Sequence, residues 1–78
     1  VNLLRKEEAM RTRQKFIPEV GKVYQNNGGG SYICLRSDDH ANAIMQNVVS
    51  KWTFTAKCCR IYPDGTIDWD YSTGGYFA

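Results

Sequence analysis

One histidine (His40), two prolines and three cysteines are all that 78 residues supply of the types that most often anchor chemistry or staple a small fold. Each scarcity excludes something. His40 has no second imidazole to work with, and it sits beside Asp38 and Asp39 in a loop-like run, where a solvated side chain is expected rather than a general base. A zinc site would have to combine Cys34, Cys58, Cys59 and His40, and no pair among them has the usual two- to four-residue spacing. Cys58 and Cys59 are adjacent, so in a strand they point to opposite faces. An odd cysteine count also fits no secreted disulfide framework, which predicts reduced thiols and a cytoplasmic setting. No cofactor is expected. The formal net charge of +2 is too small to argue by itself for nucleic acid or an acidic membrane. No apolar run is long enough to span a bilayer, and nothing resembles a secretory signal.

What the chain has is turns and aromatics. Two Trp, five Tyr and three Phe supply the core of a single small domain, each burying about 150–250 Å². The Tyr62-Pro63-Asp64-Gly65-Thr66 stretch reads as a three-residue hairpin loop: proline presets φ, aspartate tolerates the next position, and Gly65 supplies a positive φ. That turn sets a register in which Ile61 pairs with Ile67, Arg60 with Asp68, Cys59 with Trp69 and Cys58 with Asp70. Alternation then puts Cys59, Ile61, Ile67, Trp69 and Tyr71 on an apolar face. Arg60, Tyr62, Thr66, Asp68 and Asp70 fall on a polar one. Asp68 is expected at the surface, in an exposed cross-strand pair with Arg60 contributing about 0–1 kcal/mol.

Upstream, residues 22–25 and 31–36 flank the turn cluster Asn26-Asn27-Gly28-Gly29-Gly30 and form a second hairpin. Residues 37–42 make another loop, and 43–48 a strand. Residues 51–57 alternate, with Trp52, Phe54 and Ala56 on one side and Lys51, Thr53, Thr55 and Lys57 on a solvated other. The apolar phase is even-numbered there and odd at Cys59 and Ile61, so a bulge or bend is required within residues 56–58. Five or six short antiparallel strands with a corner predict a mainly β fold, a small SH3-like or partly open barrel. An α+β sheet with a packed N-terminal helix is the alternative.

Residues 1–18 form a short helical or disordered N-terminal arm in this reading, with the β domain spanning 19–78. Helix formers abound before Met10, but no apolar stripe recurs at helical spacing. The purine-rich codons available to Arg5-Lys6-Glu7-Glu8 resemble a bacterial ribosome-binding sequence, with Met10 a suitable distance downstream. Residues 1–9 are therefore expected to be translated leader.

Several motifs carry a resemblance: Gly28-Gly29-Gly30, Met45-Gln46-Asn47, Ser50-Lys51-Trp52-Thr53-Phe54 and the run from Asp64 to Gly75. From Gly21 to Phe77 the chain resembles small uncharacterised proteins of prophages and integrative elements of Firmicutes. The resemblance implies expression in the cytoplasm of a bacterium or from its mobile elements, and it carries over no catalytic residue.

No catalytic constellation can be assembled. Asp64, Asp68 and Asp70 do not match a calcium loop, and the glycine triplet leads into a strand rather than a phosphate-binding helix. A non-catalytic binding module is the expectation, an accessory protein of a mobile element acting on a protein partner. Nucleic acid is the alternative partner, a purely structural domain a third reading, and no membrane partner is expected. The candidate contact residues are Tyr32, Lys51, Lys57, Arg60, Tyr62 and Tyr76; Trp52, Phe54, Ile61, Gly65, Ile67 and Trp69 are assigned to structure. In the nucleic-acid version Lys51 and Lys57 track phosphates while a tyrosine stacks on bases.

Overall fold

A computed structural model describes residues 13–74, so the leader expected over 1–9 and the contact expected from Tyr76 lie outside the described residues. Within that range every regular element is a strand: β1 (Gln14–Lys15), β2 (Val23–Gln25), β3 (Ser31–Ser37), β4 (Ala43–Asn47), β5 (Thr53–Lys57), β6 (Arg60–Ile61), β7 (Ile67–Asp68) and β8 (Tyr71–Thr73). They form a five-stranded sheet ordered β2-β3-β4-β5-β8 and a three-stranded sheet ordered β1-β6-β7, every pairing antiparallel. The sheets meet where Asn26 bridges Ile67 and the Asn27 N–H donates to the Ile67 carbonyl at 3.1 Å. They do not close into a barrel.

The 62–66 turn forms as its residues demand. Gly65 has φ +91°, its N–H donates to the Tyr62 carbonyl at 2.9 Å, and the Tyr62 N–H donates to Thr66 at 2.8 Å. The Asp64 carboxylate accepts from the Thr66 hydroxyl and N–H, which hold its pKa below the usual range. Arg60 faces Asp68 and Ile61 faces Ile67. The same register resumes beyond a break, with Lys57 opposite Tyr71, Ala56 opposite Ser72 and Thr55 opposite Thr73.

The break is the expected corner. Cys58 takes φ +54°, a left-handed conformation that interrupts the strand and lets the buried Cys59 face the core. Both strands of the hairpin change phase there. Tyr71, placed by simple alternation on the apolar face, lies opposite Lys57 and is 57% exposed. The corner also explains the strand count: each long strand of this hairpin is split in two, and β1 adds an eighth segment by pairing Gln14 with Ile61 and Lys15 with Arg60.

Tyr24, Cys34, Ala43, Met45, Phe54, Ala56, Cys59 and Ile67 make up the core, with Phe16, Tyr32, Ile61 and Trp69 packed against it. Burial raises the Cys34 thiol pKa and pushes that of Cys59 up to about 12. Two expectations change. Thr55, assigned to a solvated face, is buried opposite the buried Ile44, so the centre of that face is covered. Trp52, assigned to the core, is 54% exposed, because β5 begins at Thr53 and the indole stacks beyond the sheet end on Phe54, at 4.6 Å between centroids.

Candidate functional site

The polar face of the bent hairpin gathers charge around one carboxylate. Alternation puts Arg60, Tyr62 and Asp68 on that face, and β1 brings Arg13 alongside. Asp68 Oδ2 accepts from the Tyr62 hydroxyl at 2.7 Å and from Arg13 Nη1 at 2.9 Å, and Oδ1 lies 3.4 Å from Arg60 Nε. Arg60 also donates through Nη2 to Asp70. The Asp68 side chain is only 15% exposed, which corrects its assignment as a plain surface residue. Sequence pairing identifies Arg60–Asp68 but is blind to Arg13, whose approach depends on β1 docking across 55 residues of chain. This cluster neutralises itself: Arg60 and Tyr62, both candidate contact residues, are engaged by carboxylates. Beside it Gln14, Ile61, Tyr62 and Pro63 line a shallow open cleft of about 290 Å³.

The remaining candidates do not come together as one site. Tyr32 is partly buried, packed edge-on against Phe54 (5.4 Å) and Trp69 (5.3 Å), so its ring is a core element rather than a stacking platform. Lys57 lies in β5 opposite Tyr71. Lys51 lies in the β4–β5 turn with φ +66°, not in the strand expected from residue 51 onward, and it shares no continuous face with Lys57. His40 and Asp39 pair at 3.4 Å on an exposed loop, while Cys34 and Cys59 are buried and Cys58 faces solvent. Among the described residues no three His, Cys, Asp or Glu side chains gather as a metal cluster would require.

Two apolar surfaces stand out instead. Along the β2–β3 border, Ile17, Val20, Val23 and Leu35 are all exposed. They belong to neighbouring stretches of backbone: the Gly21 N–H donates to the Cys34 carbonyl at 2.8 Å, the Cys34 N–H donates to the Lys22 carbonyl at 3.0 Å, and Val23 pairs with Ile33. A register shift between Cys34 and Arg36 leaves Leu35 as the extra residue of a bulge. The second surface is the β4–β5 tip, where Val49 is 86% exposed next to Trp52. Sequence alternation misses both. The signal for the second was Asn47 followed by Ser50, side chains that cap tight turns.

No family model, no curated protein and no solved structure matches the chain.

Proposed function

We propose that this chain is a non-catalytic binding module that acts on a protein partner, as an accessory protein of a bacterial mobile element working in the cytoplasm. The exposed Ile17, Val20, Val23 and Leu35 surface carries the reading. A small core leaves little reason to hold four aliphatic side chains in water, and exposed apolar side chains on neighbouring stretches of backbone are the kind of surface that marks protein contacts. The three free thiols fit a reducing compartment, and the resemblance to prophage proteins supports the mobile-element setting. The nucleic-acid reading is weaker, because Arg13 and Arg60 are consumed by Asp68 and Asp70 and the Thr55 stretch between Lys51 and Lys57 is covered.

Affinity purification of the tagged chain from a bacterial host, with and without nuclease, tests this. A stoichiometric protein that survives nuclease and disappears with Val23→Asp or Leu35→Asp is the expected result. Nuclease-sensitive recovery, or capture indifferent to both substitutions, would contradict it.

A further inference from the structure

We propose that the end of the five-stranded sheet formed by the 26–30 and 48–51 turns docks onto an anionic lipid surface. These turns lie side by side, since Tyr32 pairs with Asn47 and the Val48 N–H donates to the Ser31 carbonyl at 3.1 Å. Charge is distributed unevenly along the strands. Asp38 and Asp39 sit in the β3–β4 loop at the opposite end, and residues 20–37 and 40–63 contain no Asp or Glu. Both hairpins reaching the tip therefore present basic and neutral groups only.

The tip combines three side chains suited to a membrane interface. Val49 is its most exposed apolar group, Trp52 shows one indole face to solvent while the other stacks on Phe54, and Lys51 is exposed with no ion pair among the described residues. Indoles favour the headgroup level, aliphatic side chains the acyl boundary just below, and lysines the phosphates. A protruding valine gains little from a phosphodiester chain, which favours lipid over nucleic acid. The expectation of no membrane partner weighed the net charge of the whole chain and segments long enough to span a bilayer, whereas surface docking depends on what one tip presents.

The tip is also braced by hydrogen bonds. Asn47 Oδ1 accepts from the Val49 and Ser50 N–H groups at 2.9 Å each, the Lys51 N–H donates to the Asn47 carbonyl at 2.9 Å, and the Gln46 amide donates to the Lys51 carbonyl at 3.2 Å. Lys51 occupies a left-handed position, φ +66°, where glycine is the better residue for the fold. Keeping an exposed lysine at this position places a cation at the tip at a conformational cost that glycine would avoid.

The experiment is sedimentation and tryptophan fluorescence of the full chain with vesicles of phosphatidylcholine alone and of equimolar phosphatidylcholine and phosphatidylglycerol. Partition into the anionic vesicles with a blue shift in emission is expected, and the shift should vanish in Trp52→Phe, which retains Trp69. Lys51→Gly should raise the thermal midpoint yet weaken partition by about fivefold, the effect of removing one basic residue near an anionic surface. Val49→Asp should abolish partition with the midpoint unchanged, whereas Val23→Asp, on the separate protein-binding surface, should leave it intact. The proposal is overturned by no partition into the anionic vesicles, by partition indifferent to Val49→Asp and Lys51→Gly, or by a shift that persists in Trp52→Phe. Binding of an oligothymidine that the same variants abolish while vesicle partition survives would reassign the tip to nucleic acid.

Discussion

Replacing Asp68 by alanine is expected to destabilise the domain by about 2–3 kcal/mol, well beyond the value for an exposed ion pair. The carboxylate is 15% exposed and accepts from Tyr62 and Arg13, with Arg60 close by. Hydrogen bonds to a charged group contribute about 1.5–3 kcal/mol each. The two arginine contacts count for less, because Arg13 is 40% exposed and the Arg60 contact is long at 3.4 Å. Asp68→Ala also leaves the partly buried Tyr62 hydroxyl and Arg60 guanidinium without this acceptor, although Arg60 keeps Asp70. Asp68→Asn retains an acceptor for Tyr62 and removes the charge, so about half the loss is expected. Urea denaturation followed by tryptophan fluorescence measures both, read as a shift in midpoint at constant slope. A double-mutant cycle with Tyr62→Phe should return a coupling of about 1 kcal/mol or more. A loss below about 0.5 kcal/mol for Asp68→Ala, or zero coupling to Tyr62, would refute the reasoning and return Asp68 to an ordinary surface position.

Trp69→Ala should cost about 3 kcal/mol, at the low end for a large aromatic because the ring is only partly buried, and denaturation in urea checks it. Gly30→Ala should destabilise by more than about 1 kcal/mol: an added Cβ would lie 2.8–3.0 Å from atoms of the Tyr32 ring, which is wedged between Phe54 and Trp69. A thiol reagent should modify Cys58 at once and Cys34 and Cys59 only as the protein unfolds, since the first is exposed and the others are buried. Stability should fall between about pH 9 and pH 12, because unfolded Cys59 ionises near its ordinary 9.0 while the folded thiol holds its proton to about 12; the unfolded state then binds fewer protons. Cys59→Ala should flatten that part of the pH profile, and an unchanged slope would show that the thiol is not buried in solution.

Local chemistry decided much of this molecule. Pro63, Asp64 and Gly65 determine a turn, the turn determines a register, and the register holds from Thr55–Thr73 to Ile61–Ile67 because antiparallel pairing propagates stepwise from its loop. The change of phase between Ala56 and Cys59 likewise demanded a corner, and Cys58 supplies it. Alternation, however, says only which residues share a face; whether that face is covered depends on what else packs there. Tyr71 turned outward because both strands change phase at the corner, and Trp52 emerged because its strand begins one residue too late to include it. Thr55 became buried, and Asp68 acquired Arg13, through contacts between segments far apart in the chain. The exposed surfaces that carry the functional readings were settled at the same level. Their residues come from separate turns and strands, and only the folded sheet sets Val20 beside Leu35 and the Asn26–Gly30 turn beside Val49.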